Sequence, residues 1–282
     1  MIKVDFRGDW KDFLETDLAA YDLRYDPSQS LEENTARYLN AKRRVPRNAV
    51  RAIHESKELR IPEHHDGDYS LLKRLMIEGG DLKPYLSRDI QKKRADESDQ
   101  LLDAWGIQHL HFKPEGTDWV LFAKITDSDI FVLQALQHGR GFPAPWVNTL
   151  LLQIVHDNWP EAAGGKVVGP PGESLTAREM TALRGKMNAN FATATLDGSV
   201  YPAPGGGITA FGRCFSDVCD GDKIFGYLAF WQRLVEANEA RFREALNILL
   251  REELSIKMMF ASDECWLYEP TKRTRLSVTP CQ

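Results

Sequence analysis

The segment from Trp105 to Phe142, WGIQHLHFKPEGTDWVLFAKITDSDIFVLQALQHGRGF, decides the fold of this chain. Two turns rich in Pro, Gly, Asp and Ser divide it into three apolar runs, which is typical of three consecutive strands. The predicted strands cover 108–112, 119–125 and 130–136. Because strand ends present polar side chains on a rigid scaffold, we expect the functional site in this segment.

Three of the seven histidines of the chain lie in these predicted strands or at their ends. The two-residue period of a strand places His109 and His111 on one face and Leu110 and Phe112 on the other. His138 follows the third strand. We therefore expect the three imidazoles to converge on one surface of the sheet.

The residues after the first strand also resemble a known family. Asp118-Trp119 opens the second strand, His138 comes 20 residues after Asp118, and Phe142 comes four residues after His138. This pattern is similar to that of the YafQ branch of the RelE/ParE-like bacterial toxins, which are messenger RNA endonucleases. Two features depart from the family pattern. Gln134 stands where the family has an arginine at the scissile phosphate, and the segment between the histidine strand and Asp118 is longer.

The resemblance implies a fold, a site and a partner. The fold would be α+β, with a small antiparallel sheet and packed helices as a RelE-like core, enlarged here by a helical insertion. Strand, helices and then three strands would follow one another, and the alternating Ile2–Phe6 segment is the candidate first strand. His111, and by a similar position His109, would correspond to the family histidine that precedes Asp-Trp. Bacterial growth control or phage defence, RNA as substrate and a neutralising antitoxin are the implied biology.

The chemistry of RNA cleavage without a metal gives these histidines roles. One group must take the 2′-OH proton, a second must protonate the leaving 5′-oxygen, and a cation must offset charge on the phosphoryl oxygens. An unperturbed imidazole titrates at about 6.5 and can act as either acid or base. We expect His111 and His138 to form this pair, with the assignment between them open. Asp118 would orient one of them, His109 is a further catalytic candidate, and no metal or other cofactor is expected.

Candidate RNA-binding residues surround this site in the sequence. Lys113 and Arg140 are the nearest cations, and Trp119 or Phe142 would stack a base. Trp119 equally fits a buried strand residue. Two basic runs would contact phosphates, although a solvated helix face has the same pattern. They contribute Arg43 and Arg44 from residues 37–60, and Arg88, Lys92, Lys93 and Arg94 from residues 87–94.

Two alternatives from other functional classes remain open. The order His109, His111, Glu115 and His138 is that of a cupin metal site, where three imidazoles and a carboxylate bind iron, manganese or zinc. A jelly roll needs about eight strands, and much of this chain has helical patterns. The other alternative is a noncatalytic binding or scaffold protein of a defence or mobile-element system.

Composition limits the partners and the cellular location that these hypotheses allow. The chain has 282 residues and a formal net charge of −5, so RNA binding would depend on local basic surfaces. Four cysteines without a C-x-x-C pair favour reduced thiols in the cytoplasm. No signal-peptide core and no membrane-length apolar run is present, so we expect no contact with a membrane. The oligomeric state is left open.

The chain is long enough for two domains. A stretch rich in Gly and Pro at 161–173 is the candidate linker. It separates a predicted nuclease domain, 1–160, from a second α+β domain of unassigned role, 174–282.

Overall fold

The computed structural model describes residues 2–87, 99–138, 142, 145–165, 175–187, 190, 192–261 and 264–276. Within these residues the protein is α+β, with eight α-helices and ten strands in three sheets. None of the described helices is both long enough and apolar enough to span a lipid bilayer.

The secondary structure alternates between helical and strand segments. The helices are α1 Phe6–Asp17, α2 Leu31–Arg44, α3 Asp66–Glu78, α4 Gln100–Trp105, α5 Thr149–Asn158, α6 Ala177–Met187, α7 Phe215–Ala237 and α8 Glu239–Leu246. The strands are β1 Ile2–Val4, β2 Ala52–Glu55, β3 Gln108–His111, β4 Trp119–Ile125, β5 Asp129–Gln137, β6 Ala192–Ala194, β7 Val200–Pro202, β8 Leu254–Phe260, β9 Cys265–Glu269 and β10 Thr274–Leu276.

The described residues of Met1–Tyr38 and Cys219–Gln282 form one compact unit, here called the terminal unit. Its sheet has the order β1-β8-β9-β10, and β1 runs parallel to β8. The predicted first strand is present as β1, but it lies outside the histidine sheet. Alternation predicted a strand near Ile2, but it carries no information about the partner, which here is a strand about 250 residues away.

Residues Leu39–Val218 form the second compact unit, here called the central unit. It contains the histidine sheet, with the order β2-β5-β4-β3. Strands β3, β4 and β5 are antiparallel neighbours, whereas β2 is parallel to β5. The three strands predicted from the sequence are confirmed to within one residue at each end.

The histidine sheet is covered on both faces, as the apolar sequence of β4 predicts. One face, here called the α5 face, packs Val120, Phe122 and Leu133 against Trp105 of α4 and the apolar side of α5. The opposite α3 face buries residues of α3 against residues of strands β3, β4 and β5. These strand residues are Leu110, Leu121, Ala123, Ile130, Val132 and Ala135. The central strands are therefore a rigid platform.

Local signals in the sequence also fix the ends of elements. Ser30 and Glu33 form a capping box at the start of α2, because each accepts a hydrogen bond of 3.1 Å from the other's backbone N–H. Strands β6 and β7 form a hairpin, and Asp197 in its turn accepts hydrogen bonds from Ser199 and Thr195. These hydrogen bonds hold the pKa of Asp197 well below its usual range.

The predicted linker at 161–173 falls within the sequence range of the central unit. Residues 166–174 lie outside the described part of the chain. The division into 1–160 and 174–282 stays a prediction.

Candidate functional site

Strand register places the three histidines. His109 lies opposite Phe122 and His111 lies opposite Val120, so both imidazoles are on the α5 face. His138 comes directly after β5, and its backbone N–H donates a 3.0 Å hydrogen bond to the carbonyl of Asp118. This hydrogen bond extends the pairing of β4 and β5 by one residue and fixes where the His138 side chain leaves the sheet.

The three imidazoles meet. Ring centroids are 5.1 Å apart for His111 and His138, 5.5 Å for His109 and His138, and 6.0 Å for His109 and His111. One ring nitrogen from each residue lies within 4.8 Å of the corresponding atoms of the other two. His111 is buried and the other two are half-buried. The predicted convergence is confirmed, and we call these residues the histidine cluster.

The backbone of Thr117 contacts the His111 ring with both of its polar groups. Its N–H lies 2.9 Å from Nδ1 of His111 and its carbonyl oxygen lies 3.1 Å from the same atom. The N–H can donate when Nδ1 carries no proton, and the carbonyl can accept when Nδ1 is protonated. These two contacts hold the His111 ring in place.

His138 has a ring nitrogen that lacks a partner within the described structure. Its Nδ1 is buried, and no described residue makes a hydrogen bond with it. A buried polar atom without a partner costs free energy and calls for an explanation, such as a catalytic role, a water or an ion. The residue that carries it belongs to the histidine cluster.

The two acidic candidates are not among the possible metal ligands that the described residues bring together. Asp118 is exposed, and its carboxylate makes no hydrogen bond or ion pair among the described residues. Glu115 is also exposed and is not part of the cluster of possible metal ligands found in the described chain. Thr117, rather than Asp118, holds His111. Sequence patterns gave no sign of Thr117, because it acts through backbone atoms that every residue except proline carries.

The candidate RNA-binding residues near the cluster differ in exposure. Lys113 is exposed and forms an ion pair of 3.5 Å with Asp68. Trp119 is half-buried and packs against the α3-face core, as a strand residue would. Phe142 is 45% exposed, so its ring can meet a ligand. Five further candidates lie outside the described residues, namely Arg88, Lys92, Lys93, Arg94 and Arg140.

Arg44 is buried and Arg43 is half-buried, in contrast to the expected phosphate-binding surface. Arg43 donates hydrogen bonds to Asp103 and Asp217. Burial alone would lower the pKa of the Arg43 guanidinium. The two neighbouring carboxylates raise this pKa by more than burial lowers it, so the net shift is upward. Arg44 is only 5% exposed. A run of basic residues in the sequence does not reveal which side chains the fold turns inward. In this protein the fold turns both of these side chains inward, at least in part.

Comparison with known proteins gives no match: neither a family model, nor a curated protein, nor a solved structure matches this chain. The likeness to the RelE/ParE-like toxins therefore stays a prediction drawn from the spacing of a few residues. Any function assigned to the protein has to be argued from its own side chains and their placement.

Proposed function

We propose that the protein is an endoribonuclease that cleaves RNA without a metal, through acid and base catalysis by His111 and His138. The observation that carries the proposal is the meeting of three imidazoles on one face of a rigid sheet, with their ring nitrogens within 4.8 Å. Neutral and protonated imidazoles interconvert near neutral pH, which a paired acid and base requires. His109 and His138 are half-buried and present part of their rings at the surface, whereas His111 is buried.

The reaction needs one proton acceptor and one proton donor. One imidazole removes the proton from the 2′-OH, and the 2′-oxygen forms a bond to phosphorus. The bond between phosphorus and the 5′-oxygen breaks, and the second imidazole, protonated at the start, gives its proton to that oxygen. The products are a 2′,3′-cyclic phosphate and a 5′-hydroxyl. Proton exchange with water returns both imidazoles to their starting states.

Thr117 positions His111. Its N–H and its carbonyl lie 2.9 Å and 3.1 Å from Nδ1 of His111, so these backbone groups fix the orientation of the ring. A ring held at Nδ1 exchanges protons with a substrate through its other nitrogen, Nε2. A preorganised ring lowers the cost of the charge change during reaction, because the imidazole need not reorient. The proposal leaves the assignment between His111 and His138 open.

The element order of the central unit supports a RelE-like core. A strand, β2, precedes helices α3 and α4, and the antiparallel strands β3, β4 and β5 follow. This is the order that the resemblance implies, with β2 in place of the segment at Ile2. The spacing from Asp118-Trp119 to His138 and Phe142 completes the likeness.

The cation of the family has no equivalent at Gln134. The Gln134 amide donates to the carbonyl of Glu58 and accepts from the N–H of Arg60, so it holds the loop after β2. Lys113 is the described candidate for offsetting phosphoryl charge, although it would have to leave its ion pair with Asp68. The proposal assigns no catalytic step to the exposed Asp118. A neutralising antitoxin and a role in growth control or phage defence belong to the same proposal.

The products of RNA cleavage test this function. Purified protein is incubated with end-labelled RNA in EDTA, and the new ends are identified. We expect fragments with 2′,3′-cyclic phosphate and 5′-hydroxyl ends, and no cleavage of a DNA oligonucleotide of the same sequence, which lacks the 2′-OH. Cleavage of the DNA, or RNA fragments with 5′-phosphate ends, would contradict the mechanism.

A further inference from the structure

The nitrogen atoms of the histidine cluster also form a set of donors that suits a metal ion. Three imidazoles, without a thiolate or an oxygen ligand, match the preference of Zn²⁺, Cu²⁺, Ni²⁺ and Fe²⁺ rather than of Mg²⁺ or Ca²⁺. Nitrogen atoms bound to one tetrahedral Zn²⁺ lie about 3.3 Å apart, given zinc–nitrogen bonds of about 2.0–2.1 Å. The cluster nitrogens are all within 4.8 Å of one another, so small rotations of the rings bring them to this spacing.

We propose that His109, His111 and His138 together bind one divalent transition-metal cation, with Zn²⁺ as the best fit, and that the bound ion inhibits RNA cleavage. The inhibition rests on the proposed ribonuclease function, whereas the metal binding does not. A metal ion occupies the same nitrogen lone pairs that the acid and base use. Regulation by metal availability would follow, because the loaded site cannot accept or deliver the protons of the reaction.

Thr117 provides the outer contact that a metal-bound histidine needs. A histidine that binds a metal through Nε2 donates its Nδ1–H to a carbonyl or carboxylate, which fixes the ring orientation. The carbonyl of Thr117 lies 3.1 Å from Nδ1 of His111, at the distance of such a hydrogen bond, and the N–H of Thr117 lies 2.9 Å from the same atom. Metal binding through Nε2 would therefore place the proton on Nδ1 and make the carbonyl, rather than the N–H, its hydrogen-bond partner.

His138 provides the second, independent observation. Its Nδ1 is buried and has no hydrogen-bond partner among the described residues. A metal ion bound by this nitrogen would give it the partner that it lacks, at little further cost of desolvation because the atom is already buried. Three protein ligands also leave a fourth position for water, which is the usual arrangement of an open zinc site.

Metal binding is measured first, without RNA. Metal-free protein is titrated with Zn²⁺ by calorimetry and with Co²⁺ by visible absorption, where a tetrahedral site gives intense bands. We expect one ion per chain. Removal of outer-shell partners weakens metal sites by about 10–100-fold, so the loss of a direct ligand in His109→Gln or His138→Gln should weaken binding by more than about 100-fold. The matched control is His64→Gln, since His64 is exposed and outside the cluster.

RNA cleavage is then compared in EDTA and in equimolar Zn²⁺, with a protein-free Zn²⁺ reaction as background. Binding of one ion together with cleavage that Zn²⁺ suppresses supports both proposals. Binding without any cleavage in EDTA supports the metal site and overturns the ribonuclease. Cleavage without stoichiometric binding, or binding that His109→Gln and His138→Gln leave unchanged, overturns the metal site and leaves the ribonuclease standing. Stimulation of cleavage by Zn²⁺ overturns the inhibition.

Discussion

Replacing His138 with Gln is expected to lower the rate of RNA cleavage by about a hundredfold to ten-thousandfold, the range that a positioned acid or base contributes. Gln keeps a polar side chain but cannot take or give a proton near neutral pH. His138 lies at the end of β5 and half-buried, so the change should leave the sheet intact. Single-turnover cleavage of labelled RNA in EDTA measures the effect.

Two controls separate chemistry from folding in this experiment. His64→Gln removes an exposed histidine outside the cluster and should cleave at the wild-type rate. Thermal unfolding of His138→Gln should occur within a few degrees of wild type. A His138→Gln protein that folds and cleaves as fast as wild type would exclude His138 as the acid or base.

The second large effect that we expect is on the stability of the histidine sheet. Phe122→Ala is expected to lower the free energy of unfolding by about 3–5 kcal/mol, the usual cost of removing a buried phenyl ring. Phe122 is 1% exposed and lies in the core of the α5 face. Close packing there keeps the neighbouring side chains from moving in to fill the cavity that the smaller residue leaves. Urea denaturation followed by circular dichroism measures the loss.

The same substitution should also disturb the site. The ring of Phe122 lies 6.3 Å from the ring of His109 and occupies the paired position on the next strand. A cavity beneath His109 allows this imidazole to move, so metal affinity should fall together with stability. Phe122→Leu fills most of the space and should lose less of both. Full stability in Phe122→Ala would show that this face is not the packed core described here.

The strands that carry the site could be predicted from the sequence alone. Alternating and apolar runs bounded by turn residues determined β3, β4 and β5, and the period of two placed His109 and His111 on one face. The position of His138 relative to them follows from antiparallel pairing of neighbouring strands. These features depend on residues close together in sequence, which is why local patterns were sufficient.

Features that depend on distant residues could not be predicted in this way. The partner of β1 is β8, and no pattern near Ile2 points to it. The charge run that suggested a phosphate-binding surface contributes three buried arginines, Arg37, Arg44 and Arg51. Burial of each charge requires partners that only the tertiary fold supplies. The contact of Thr117 with His111 was equally hidden, because backbone groups have no sequence signature.

The most direct test of the central claim is RNA cleavage in EDTA by the double variant His111→Gln/His138→Gln, beside the matched control His54→Gln/His64→Gln. Both histidines of the control lie outside the cluster. We predict cyclic-phosphate products from wild type and the control, and none above background from the double variant. Equal cleavage by the double variant and the control would contradict the account, because the reaction would then proceed without the two imidazoles.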